Sequence, residues 1–122
     1  MTRAEFESLV LDSFGVTGDN PFSTYDSTLV LRHPISRKWF GILMRIKKSK
    51  LGIMSDDYID IVNLKCGNEI ISSMLELDGV YPAYHMTKSH WVSVALDGSC
   101  DDEDVKFILN VSHELTKGKK DD

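Results

Sequence analysis

From Lys38 to Lys47 the side chains alternate with the period of a β-strand, and both resulting faces carry apolar groups. Phe40, Ile42, Met44 and Ile46 fall on one face; Trp39, Gly41, Leu43 and Arg45 fall on the other. A strand with one face in water is polar on that face. This segment therefore predicts a central strand in a sheet covered on more than one side.

Its neighbours can be read the same way. Thr28–Arg32 is β-rich and is punctuated by Pro34 and Ser36. Leu51-Gly52-Ile53 extends a strand briefly. Tyr58–Leu64 is another strand, with either Tyr58, Val62 and Leu64 or Ile59 and Ile61 inward. Trp91–Leu96 is the last, with Val92, Val94 and Leu96 on one face and a turn at Asp97-Gly98.

Three helices flank these strands. Thr2 and Glu5 have capping-box spacing, and Phe6, Leu9, Val10 and Phe14 then form one apolar face that Gly15 can end. Val16–Tyr25 reads as loop. Asn68 is an N-cap candidate for a helix carrying Ile70, Ile71, Met74, Leu75 and Leu77, stopped by Gly79. Ser99 or Asp101 can cap the third, whose N-terminal end is crowded by Asp101, Asp102, Glu103 and Asp104, favoured there by the helix dipole. Its inner face is Val105, Ile108, Leu109, Ser112 and Leu115. The expected architecture is α+β, a single domain with N-terminal, middle and C-terminal helices packed on an antiparallel sheet. It spans residues 1–118, with 119–122 a frayed tail.

The 122 residues suffice for one core without disulfides. No apolar run approaches the ~20 residues a bilayer span needs, and no signal-peptide core is present. A cytoplasmic monomer is expected, with Cys66 and Cys100 as free thiols. Net charge is −5, which disfavours indiscriminate nucleic-acid binding. Yet Arg32, Arg37, Lys38, Arg45, Lys47, Lys48 and Lys50 follow one another without an intervening Asp or Glu. Such a band favours an anionic partner if its members share a face; it can also merely offset acids across a sheet.

The densest chemistry lies in residues 81–91, Tyr-Pro-Ala-Tyr-His-Met-Thr-Lys-Ser-His-Trp. A connection needs far less, and loops held by a scaffold are where binding residues gather. Tyr81, Tyr84, Met86 and Trp91 suit either a protein-binding surface or closure of the core, with at least one ring buried. His85, His90 and Cys66 are possible metal ligands by type, but their spacing fixes no geometry, and packing within the loop explains the histidines better. Cys66 with a histidine could form a nucleophile–base pair; an inert buried thiol is the commoner outcome. Ser89 and His90 lack a nucleophile-elbow pattern. No phosphate-cradling glycine loop is present. The expectation is no catalytic residue, no cofactor and no metal.

Arg32-His33, Lys38-Trp39-Phe40-Gly41, Leu51-Gly52-Ile53, Asp60 to Cys66, Pro82 to Val94, Leu96-Asp97-Gly98 and Ser112-His113-Glu114-Leu115 together resemble the MmcQ/YjbR-like family. The run Pro82, Tyr84, His85, Met86, Lys88, His90, Trp91 is the most specific part. The resemblance implies an α+β fold similar to that of CyaY/frataxin-like proteins and the DNA-binding role usually assigned to that family from its fold. Gly67-Asn68 departs from a usual Asp-Pro and His113 from a usual tyrosine. No catalytic residue carries over. DNA contact would fall on the phosphate backbone, through turns bearing Arg37 and Lys38, and Arg45, Lys47, Lys48 and Lys50, extended by Lys65, Lys88 and His90. The alternative is a non-catalytic protein- or ligand-interaction module using loop 81–91.

Overall fold

Thr2 caps the first helix reciprocally with Glu5: Glu5 N donates to Thr2 Oγ1 at 3.2 Å and Thr2 N to Glu5 Oε1 at 2.8 Å. The computed structural model describes residues 1–22 and 27–121. Helix α1 runs Arg3–Phe14 and ends at Gly15, left-handed at φ 67°. Strands β1 (Leu29–Arg32), β2 (Trp39–Lys47) and β3 (Tyr58–Lys65) follow. A short α2 (Ile71–Met74), β4 (Val80–Pro82), β5 (Trp91–Ala95) and α3 (Asp102–Thr116) complete the chain. The five strands form one antiparallel sheet in the order β1-β2-β3-β5-β4. Residues 23–26, which include the end of the expected loop, and residue 122 lie outside the described residues.

β2 and β3 are central, as the two-faced apolar pattern predicts, and both faces of β3 are filled. Leu43, Val62, Leu64, Val92 and Val94 meet Phe6 and Val10 of α1 and Val105, Ile108 and Leu109 of α3. Ile46, Ile59, Ile61 and Ala95 form a second cluster on the opposite face, joined by Leu51, Tyr81 and Tyr84. Val62 and Leu64 face the helices and Ile59 and Ile61 the other side, so both alternatives are used except at Tyr58, which is exposed at the start of the strand. Ser112 is inward because it bridges layers. Its Oγ donates to Phe40 O at 2.6 Å and accepts from Lys65 N at 2.9 Å.

Several elements differ from expectation. Phe40 does not share the Ile42 face, because the β1–β2 register shifts at Leu31/Arg32. That bulge turns its ring towards the helices, 5.9 Å from Phe14 and 5.0 Å from His113. The middle helix shrinks to one turn without a side-chain cap. Ile71, Ser72 and Ser73 are weak helix formers and supply too little local support. Leu51 closes a 3-10 turn with Lys48–Lys50 instead of extending a strand. Leu115 is half-exposed, and Thr116 takes the inner position. The tail expected to fray forms a 3-10 turn over Lys119–Asp121. It is held because Asp121 accepts bonds from Ile35, Ser36 and Gly118.

Candidate nucleic-acid interface

Sheet topology divides the candidate cations into two groups. β2 carries Arg37 and Lys38 before its start and Lys47, Lys48 and Lys50 at its end. The nine residues of β2 separate Lys38 from Lys48 by roughly 30 Å. The band contiguous in sequence is therefore not one surface. One set lies at the end made by the β1–β2 turn, the close of β3 and the start of β5; the other lies at the β2–β3 turn.

At the β2–β3 end the positive charge is offset. Arg45 Nη1 lies 3.3 Å from Asp60 Oδ2, and its guanidinium sits 5.9 Å over the Tyr58 ring. Arg3 also reaches Asp60, at 3.8 Å. Lys48 N donates to Asp57 O at 2.8 Å, so Asp56 and Asp57 share this turn with Lys47, Lys48 and Lys50. Arg45 is thus a paired residue, and the basic wing has acidic neighbours.

The opposite end gathers Arg37, Lys38, Lys65, Lys88 and His90. Lys65 stands opposite Trp91 in the β3–β5 ladder. Residues 87–91 turn tightly there, with His90 N and Trp91 N both donating to Thr87 O. His90 O in turn accepts from Cys66 N and Gly67 N. Arg37 and Lys38 are exposed in the turn closed by His33 N donating to Lys38 O at 2.9 Å. The docked tail adds exposed Lys119 and Lys120, which the sequence reading left out. Lys117 pairs with Glu114 at 3.2 Å. Arg32 lies 3.1 Å from Asp19 and 5.4 Å over Trp39.

The loop between β4 and β5 is clipped onto the sheet face away from α1 and α3. Asn63 Nδ2 donates to Tyr84 O at 2.8 Å, and Tyr84 N donates to Ser93 Oγ at 2.9 Å. Ser93 Oγ donates to Asn63 Oδ1. His85 takes a left-handed conformation at φ 58°, uncommon for a residue with a side chain. Pro82, His85, Thr87, Lys88 and Ser89 are exposed, while Tyr84, Met86, His90 and Trp91 are half-buried. Neither Tyr84 nor Trp91 is a fully buried ring, contrary to expectation. Both lie on a face whose cover is this same thin loop.

Two histidines missed by the sequence reading meet beneath the β1–β2 turn. His33 is 1% exposed. Thr116 Oγ1 spends its proton on Ser112 O at 2.7 Å, so it accepts from His33 Nε2–H at 2.9 Å. His33 Nδ1 lies 4.0 Å from Asp121 Oδ2. His113 stacks on Phe14 at 3.8 Å and lies 4.5 Å from the His33 ring. Burial lowers both pKa values, His113 to about 4, aided there by the charge of His33. The signals in the sequence were His33 within the Arg32-His33 match and His113 at a position where the resembled family has tyrosine.

Cys66 and Cys100 are buried free thiols, and burial raises both pKa values, Cys100 to about 11. A poised thiolate is therefore not at hand for Cys66. Among the described residues no three His, Cys, Asp or Glu side chains gather as a metal-ion set. Likewise no described helix is long and apolar enough to cross a membrane.

A five-stranded antiparallel sheet with its helices on one face and a clipped loop on the other defines a small α+β protein. The chain belongs to the YjbR family, whose model matches residues 5–115. It is 33% identical over 117 residues to Bacillus subtilis "Uncharacterized protein YyaQ", covering 96% of this chain and 99% of that one. A crystal structure of a Pseudomonas syringae protein aligns with TM-score 0.92 at 32% identity, over 96% of this chain and 100% of that one. Deinococcus radiodurans protein DR2400 aligns with TM-score 0.69 at 25% identity, over 98% and 80%.

Proposed function

We propose that this protein is a non-enzymatic DNA-binding protein that contacts the phosphate backbone through the basic end of its sheet. The observation that carries the reading is the segregation of charge. Arg37, Lys38, Lys65 and Lys88 fall at one end of the sheet, where the Asp121 carboxylate is buried and Glu114 is paired with Lys117, while the acidic first turn of α3 and Asp56, Asp57 and Asp60 belong to other parts of the molecule. A local positive field of this kind can hold a polyanion although the whole chain is anionic.

The test is fluorescence anisotropy of a labelled duplex at two salt concentrations. Binding should weaken with salt and should be lost in the triple variant R37E/K38E/K65E. It should persist in K47E/K48E/K50E, whose residues lie at the other end. Absence of binding at low salt, or loss only in the second variant, overturns the proposal.

A second reading is favoured by the fixed backbone of loop 83–90, which presents His85, Thr87 and Lys88 on a supported surface. There the protein is a non-catalytic module for a protein or ligand partner. Partner capture that survives R37E/K38E/K65E but not a loop substitution such as H85A supports this reading over the first.

A further inference from the structure

The carboxylate of Asp121 occupies a cradle of donors built by the β1–β2 turn together with Gly118. His33 N donates to Lys38 O, and Arg37 N donates to His33 O at 3.1 Å. Arg37 is left-handed at φ 66°. The turn so closed directs the Ile35 and Ser36 amides to one point, beside the Ser36 hydroxyl. Ile35 N and Ser36 N reach Asp121 Oδ1 at 3.3 and 3.1 Å, the Ser36 hydroxyl donates to Oδ2, and Gly118 N donates to Oδ2 at 2.8 Å. The Asp121 side chain is 1% exposed.

Successive backbone amides aimed at one point form an anion nest, and a hydroxyl beside them completes a donor set that matches tetrahedral phosphate oxygens as well as a carboxylate. Besides Asp121 itself, the charges that act on His33, whose ring borders the cradle, are those of Lys117 and Lys38. These donors hold the Asp121 carboxyl below the ordinary carboxylate range, Ser36 foremost. We infer that the turn is a binding site for a phosphate group and that Asp121 is its built-in occupant. The inference rests on the nucleic-acid reading for its partner, since it gives the basic end one fixed phosphate seat.

Three of the four donors belong to the turn. The fourth, Gly118, is packed against Ser36, where an added Cβ would come within 2.7 Å of the Ser36 Cβ. The three turn donors belong to a turn closed by its own backbone bonds, apart from residues 119–121. Among the described residues, one backbone bond returns them to Gly118, Asp121 N to Gly118 O at 3.1 Å. A seat filled by its own chain binds an external ligand more weakly, by the fraction of time it stands open.

The test follows the backbone amide resonances of Ile35, Ser36 and Gly118 in the full chain titrated with inorganic phosphate. D121A should bind about tenfold or more tightly than wild type, the closed seat having been emptied. D121N keeps the side-chain shape without its charge and should also gain affinity. S36A in the D121A background should lose the gain. Equal phosphate response in wild type and both Asp121 variants, or shifts that bypass Ile35 and Ser36, overturns the inference, with a dispersed spectrum of D121N guarding against a folding artefact. Oligonucleotides with and without a 5′-phosphate then separate a terminal from an internal phosphate. Phosphate binding without DNA binding leaves the cradle standing and removes the nucleic-acid reading. DNA binding without phosphate at the cradle does the reverse.

Discussion

Asn63 and Ser93 face each other across β3 and β5, and together they hold both the N–H and the C=O of Tyr84. Both side chains are buried, at 1% and 0% exposure. Polar residues survive there because each finds its partners in the other and in the loop.

Replacing Ser93 by Ala would leave Tyr84 N and Asn63 Oδ1 without the hydroxyl that joins them. A buried donor or acceptor left unsatisfied costs about 1–3 kcal/mol, so S93A should lower stability by about 2 kcal/mol in urea unfolding. Amide exchange should quicken over 84–90 before it changes in β2 or β3. An undiminished urea midpoint with unchanged loop exchange would mean that the clip does not hold the loop.

Acid should destabilise the protein through His33, which is buried, and the partly buried His113. Their folded pKa values lie below the ordinary 6.5, so the folded state prefers them neutral. Their contribution is complete above pH 6.5 and is lost as pH falls towards about 4, where His113 titrates. A depression of that size corresponds to about 3 kcal/mol for His113. Asp121, also depressed, adds its loss only at lower pH. Denaturant midpoints should fall between pH 6.5 and 4 in wild type and fall less in H113F. The phenyl ring keeps the stacking surface on Phe14 and has no proton to gain. An equal fall in both proteins would locate the acid lability elsewhere.

The strands and outer helices were legible because their apolar periods are long and their caps are local: Thr2 with Glu5, and Asp101, whose carboxylate accepts from Glu103 N. The two-faced pattern of β2 even foretold a sheet covered on both sides. What sequence could not give was the consequence of strand length. Residues 37–38 and 47–50 look like one basic band, yet a straight strand carries them to opposite ends. The docking of Asp121 was equally hidden, because it joins positions 85 residues apart through the backbone of a turn. β4 was missed because three residues ending in Pro82 resemble a loop. Proline is admissible there only because β4 is the sheet's edge.

Gly79 should tolerate no side chain. It is left-handed at φ 79°, and an added Cβ would lie 2.6 Å from Cys100 N and 2.8 Å from Cys100 Cβ. Its carbonyl also accepts from Ala95 N at 2.8 Å, tying the entry of β4 to β5. Backbone, not a flexible side chain, stands in the way, so G79A adds left-handed strain to a steric clash. The expected loss is about 3 kcal/mol. Gly98, at φ 88°, has nothing within 4 Å of the same virtual atom, so G98A should cost only the conformational part, about 1 kcal/mol. Comparable melting temperatures for the two variants would contradict this account.

The thiols give a probe of the whole core. Cys66 and Cys100 are 4% and 2% exposed, and burial raises both pKa values, with Asp104 and Asp101 adding to the rise at Cys100. Because the thiolate is the reactive form, both should resist a disulfide reagent at pH 8 in the folded protein and react promptly in urea. The raised folded pKa also fixes a sign at high pH. Stability is complete below the unfolded thiol's value and declines as pH climbs towards about 11, where Cys100 ionises. C100A should flatten that alkaline decline while costing stability at neutral pH through the cavity it leaves under α3. A fast-reacting thiol in the folded state would show that the segment around Cys100 opens independently of the core.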